Sequence, residues 1–162
     1  MTGFHILVML HVLGVIGGFG ALAFNALYMS LAQRRPQGGT GAIIEVNGLV
    51  SGLAEILIYA ALLFGIGAVA SSHSTVKFSD AWVSAALGVY FVAVGVLHGW
   101  IKRNQRLYGA MVRKLESGAE PSTQEQDLGE LQLLEKKVGF GWGVFNVLVI
   151  GAVYLMVFKP GG

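Results

Sequence analysis

The sequence predicts an all-α polytopic membrane protein, a four-transmembrane-helix bundle, and three observations carry that prediction. Apolar runs at 4–32, 43–70, 81–101 and 138–158 each hold 21 residues or more, and about 20 suffice to cross a hydrocarbon core. Only 12% of the residues are charged, against roughly 25% in soluble domains. Every run carries a glycine pair at four-residue spacing: Gly14/Gly18, Gly48/Gly52, Gly95/Gly99 and Gly139/Gly143. Such pairs let membrane helices approach closely, where burial of apolar surface gives no driving force. The 162 residues form one membrane domain.

The first run, Phe4–Ala32, holds no Lys or Arg and continues past Ala21-Leu22-Ala23 to Arg34-Arg35. It lacks the basic n-region and short h-region of a cleaved leader, so it is expected to remain as a helix. Gln33–Ala42, with Pro36 and three glycines, is a turn. Ile43–Ala70 is the second span, Ser71–Ser79 a loop, and Ser79 or Asp80 can cap the third span, Ala81–Ile101. The basic stretch Lys102–Leu115 continues that helix, and Glu116–Pro121 breaks it. Ser122-x-x-Glu125 fits a capping box. A helix from there runs through Lys136-Lys137 into the fourth span, Val138–Phe158.

Nine of the eleven Lys and Arg residues fall on one side of these spans. By the positive-inside rule both termini are outside, N-out and C-out, and 102–137 is a cytoplasmic helical extension between helices 3 and 4. The expected location is a bacterial cytoplasmic (inner) membrane. Trp82, Trp100 and Trp142 sit near span ends, as an aromatic belt requires. Without cysteine there is no disulfide and no thiolate metal site. There is no nucleophile–base pair, phosphate loop or nucleotide fingerprint, so no catalysis is expected. The basic residues sit beside membrane ends, which leaves no nucleic-acid footprint.

Glu55 is the lone carboxylate within the core of its run, in a stripe of Gly48, Ser51, Gly52, Glu55 and Tyr59. A charge at the bilayer centre costs at least ~2.5 kcal/mol, so Glu55 is expected to face protein and to have a partner. Counting about 1.5 Å per residue from span centres puts Glu55, Asn146 and Tyr90 near one level. Asn25, His98 and Trp142 fall roughly 10 Å to one side, and His11, Ser84 and Tyr154 roughly 10 Å to the other. Glu55 with Asn146, Tyr59 and Asn25 could therefore form a proton or cation site. The alternative is a structural carboxylate bonded to Asn146. No span contains proline, so the broken helices common in transporters are not indicated.

His11 and His98 are the candidate haem b or metal ligands. Their expected depths differ by ~20 Å, while two imidazole nitrogens on one metal lie only ~4 Å apart, so one haem would use one of them. His5, His11 and His73 form a second possible metal set. Lys102, Arg103 and Arg106 could bind anionic lipid headgroups. The helix at 123–137, with Leu128, Leu131 and Leu134 at helical spacing, could lie on the membrane or dock a partner.

The residues His11-Val12-Leu13-Gly14, Ser79-Asp80-Ala81-Trp82-Val83 and His98-Gly99 before a basic stretch carry a resemblance. The chain resembles bacterial predicted four-helix integral membrane proteins of unknown function and, distantly, copper-resistance D-type membrane proteins. That resemblance implies a metal or haem role for His11. Haem-pathway oxidases of similar build are expected to pair a first-helix histidine with an intramembrane lysine, and none of the four predicted spans contains one.

The leading functional expectation is a non-catalytic accessory or structural subunit of a larger membrane complex, with other membrane subunits and the lipid bilayer as partners. The alternatives are a proton- or cation-handling transporter using Glu55, and a haem- or metal-binding protein using His11 or His98.

Overall fold

Helices in hydrocarbon stay together where their backbones can touch or hydrogen-bond, and the computed structural model has two such seams. It describes residues 2–24, 27, 40–73, 75–117 and 124–161. Among these, the regular structure is helical: α1 (Thr2–Ala23), α2 (Thr40–Ala70), α3 (Ala81–Gly95), a π-helical segment Val96–Lys102, α4 (Arg103–Glu116) and α5 (Gln124–Phe158). The chain from α3 to α4 is one continuous helical rod. Four stretches are long and apolar enough to cross a membrane: Gly3–Ala23, Val46–Ala70, Ala81–Leu115 and Glu125–Phe158.

The expected single helix to Ala32 ends instead at Ala23, with Phe24 in a turn. The expected turn at 33–42 is already helical from Thr40 on, while residues 25, 26 and 28–39 and the capping Ser122 lie outside the described residues. Asp80 precedes α3 with extended backbone angles, but its carboxylate does not cap the helix. It accepts the Lys77 backbone N–H at 2.8 Å and so ties the loop rather than the helix end.

The first seam joins α1 to α2. A Cβ on Gly14 would stand 3.0 Å from the Ala61 Cβ, and one on Gly18 would stand 2.7 Å from Ile58 Cγ1 and 3.0 Å from the Ala54 carbonyl oxygen. The second seam joins the third rod to α5 at Gly141, whose Cβ would meet Ile101 and Trp100 at 2.8 Å. That bare position lets the Trp100 indole N–H reach the Lys137 carbonyl at 2.8 Å. The expectation of four packing pairs is corrected here. Gly48, Gly52, Gly95, Gly99, Gly139 and Gly143 each face open space. Glycine spacing makes a smooth helix face, but the helix opposite decides whether that face is used.

The two helix pairs meet in one core of Leu22 (α1), Ala54 and Ile58 (α2), Ala93, Leu97 and Ile101 (third rod), and Val138, Trp142 and Phe145 (α5). Trp142 is 2% exposed, so it belongs to the core and not to an interfacial belt. A smaller cluster of Tyr108, Val112, Leu131 and Leu134 joins α4 to α5. Beside it, Lys114 donates to the buried Asp127 at 2.8 Å. Direct contacts between the pairs are otherwise sparse, α1 to α5 and α2 to α4. Toward the end bearing Thr2 and Phe158 the pairs part.

These seams make a discriminating prediction. Gly18→Ala and Gly141→Ala should each destabilise the bundle by roughly 1–3 kcal/mol, the usual cost of overpacking. Gly48→Ala and Gly52→Ala should be neutral within error. Thermal unfolding midpoints in one detergent check both halves.

Candidate functional site

Where the helix pairs part, they enclose an apolar cleft of about 400 Å³ lined by all four spans. Phe4 and Trp82 are at its rim end, Phe19 at its floor, and Ala61, Leu87 and Val149 along its walls. Volumes of this size are typical of small-molecule sites, which are mostly apolar with a few placed polar groups.

The placed polar group is His11. Its Nδ1 lies 2.7 Å from the Ala61 carbonyl oxygen. A carbonyl only accepts, so Nδ1 carries a proton, and in the neutral ring it is Nε2 that keeps the lone pair. The ring has room because Gly65 has no side chain; a Cβ there would stand 2.8 Å from His11 Nδ1. Holding one imidazole nitrogen to a carbonyl is the usual way a protein fixes the other as a ligand. Tyr90, also lining the cleft, donates its hydroxyl to the Ile58 carbonyl at 3.4 Å. Lys159 stands at the mouth with its ammonium 5.5 Å from the Trp82 ring centre.

A second polar group lies on a different face of α2. Lys102 donates to Glu55 Oε2 at 2.6 Å and also contacts Oε1. His98 Nε2 is 3.6 Å from Oε1. His98 Nδ1 is 3.1 Å from the Val94 carbonyl oxygen, so it is the donor there. Nε2 then accepts from the Tyr59 hydroxyl at 3.0 Å. The π segment supplies both His98 and Lys102, while Glu55 and Tyr59 sit about one turn apart on α2. An ammonium already covers both carboxylate oxygens, so an added cation would have to displace it.

The structure thus brings Glu55, Tyr59, His98 and Lys102 together. The partner of Glu55 is Lys102, not Asn146, which is half-buried on α5. Asn25 lies outside the described residues. His11 stands apart from the Glu55 group. Tyr59 and His98 are exposed on the bundle surface rather than turned inward. Among the described residues no three His, Asp or Glu side chains converge as a metal site would need.

Sequence reasoning missed Lys102 as a partner, Gly65 as the seat of the His11 ring, and the cleft itself. Gly65 was legible: Ala54, Ala61, Gly65 and Ala68 form a small-residue stripe on α2, and helices pack through such stripes. No family model, curated protein or solved structure matches this chain.

The Glu55–Lys102 pair is testable as a unit, since removing one partner strands the other charge. Glu55→Gln and Lys102→Met should each cost roughly 1–3 kcal/mol, and the double variant clearly less than their sum. Unfolding midpoints of the four proteins provide the cycle; strict additivity would mean the pair is not coupled.

Proposed function

We propose that this protein is a membrane-embedded binder of an apolar, planar ligand, with haem b as that ligand and His11 as the residue whose nitrogen would hold it. The observation that carries the reading is His11: an imidazole fixed through Nδ1 to Ala61 and lining an apolar cleft, which leaves Nε2 as the nitrogen a ligand could take. A neutral histidine is a common haem ligand. The cleft supplies an apolar surround, and Lys159 at its mouth supplies a cation for a ligand carboxylate. A bound haem would contribute its iron chemistry; the chain contributes the donor nitrogen, its orientation and the exclusion of water. The geometry supports a cation site at Glu55 less well, because Lys102 occupies that position. The accessory-subunit reading rests on sequence arguments alone. His98 is a weaker ligand candidate than His11, since both its nitrogens are engaged.

The decisive measurement is an absorption spectrum of the full chain purified in mild detergent and titrated with haem. A Soret band that saturates near one haem per chain supports the reading. His11→Ala should abolish it, and Gly65→Ala, which displaces the ring, should weaken binding on the order of tenfold. His98→Ala should leave it intact. No saturable Soret band in the wild type would end the haem assignment.

For orientation we take the basic end as cytoplasmic, with both termini outside a bacterial inner membrane; nine of eleven cations support this. The chain has no cysteine, so a single introduced thiol reports cleanly. Ser117→Cys should resist an impermeant maleimide in intact cells and react after permeabilisation. Pro160→Cys should react in both. The reverse pattern would invert the topology.

A further inference from the structure

We propose that the basic pocket beside the Glu55–Lys102 pair holds the phosphodiester of an anionic membrane lipid. This site is separate from the cleft and independent of the haem reading. His98, Lys102, Arg103, Arg106 and Leu107 line an open pocket of about 460 Å³. Lys102, Arg103 and Arg106 each carry a permanent positive charge and N–H donors that an anion can meet.

The charge balance selects the ligand. Glu55 neutralises Lys102. Among the described residues no carboxylate lies within ion-pair distance of Arg103 or Arg106. The pocket therefore keeps a surplus of two positive charges. The two arginines are three residues apart on α4, so they share a helix face. Guanidinium forks match phosphate oxygens in a bidentate way that ammonium groups do not.

Position selects a lipid over a soluble anion. The pocket lies where the apolar α3 rod gives way to basic α4, a junction that headgroups occupy in a bilayer. Its openness suits a headgroup anchored by its own tails, whereas a small free anion gains little without enclosure.

The test uses the purified full chain in detergent, titrated with short-chain phosphatidylglycerol and, separately, phosphatidylcholine. Native mass spectrometry reads the bound lipid. Phosphatidylglycerol is expected to bind on the order of tenfold more tightly than phosphatidylcholine. Arg103→Gln/Arg106→Gln should weaken it by about 30-fold, the loss of two cations at an anionic group. Arg103→Lys/Arg106→Lys keeps the charge but loses the fork, and should fall between. Lys77→Gln, outside the pocket, should bind as the wild type does. Equal binding of the two lipids would overturn the proposal. So would undiminished binding by a glutamine variant that folds with the wild-type melting midpoint. Full displacement of the lipid by millimolar inorganic phosphate would overturn the lipid assignment in favour of a free anion. An unchanged haem titration in the same variants keeps this site distinct from the cleft.

Discussion

Gly18 occupies a position where a methyl group would overlap Ile58 and crowd the Ala54 carbonyl. That close approach of α1 to α2 sets much of the rest. In hydrocarbon, leucine gains nothing by leaving lipid for another leucine, so contact area alone would not hold these rods together. Bare backbone at Gly14 and Gly18 lets dispersion contacts accumulate at short range. One turn further along the same face, the seam brings His11 within reach of the Ala61 carbonyl. The packing device and the candidate ligand are therefore one continuous stripe. A change that loosens the seam would also release the proton position that leaves Nε2 free.

Glu55 answers to a different constraint. A carboxylate this deep needs a counter-charge or its proton, and its side chain is only 14% exposed. Lys102 can reach it because lysine has a long flexible stem that carries its ammonium well away from the helix axis. The π segment adds a wider turn at this point, and such turns are frequent at functional positions in helices. Here the turn carries His98 and Lys102 on the side of α2 while Trp100 and Ile101 lie against Gly141 of α5. One short stretch thus serves two neighbours at once.

Much of the fold was legible in the sequence because hydropathy and length report on single helices. Four spans and the uninterrupted α5 from 124 to 158 follow from composition without knowing what packs where. What was not legible depends on pairs. Depth counted from separate span centres put ~20 Å between His11 and His98. Measured along α2 in the structure, His98 reaches Glu55 and Tyr59 while His11 sits at Ala61 and Gly65, about 3–15 Å apart in level. Helix crossing and the reach of long side chains close that gap, and neither is written in one helix. Trp142 illustrates the same limit: its position near a span end suggested an interface, but its direction toward Phe145 and the α3 rod makes it core.

The cleft follows from the distribution of side-chain size. At the closed end, Trp142, Phe145, Leu22 and Ile101 are all nearly fully buried, and their bulk fills the space between the two helix pairs. Phe19 stacks on Phe145 with ring centres 5.8 Å apart and forms the boundary. Beyond that boundary the walls mix small residues, Ala61, Gly65, Ala86 and Ala152, with larger ones such as Phe4, Trp82, Leu87 and Tyr90, and a gap of about 400 Å³ stays open between them. Interiors are normally packed to near-crystalline density, so a gap of this size bordered by small residues on α2, α3 and α5 is unfilled volume unless something else occupies it. The gap and the His11 imidazole held to the Ala61 carbonyl occur in the same half of the bundle, and that coincidence is the geometric ground on which the proposed apolar occupant rests.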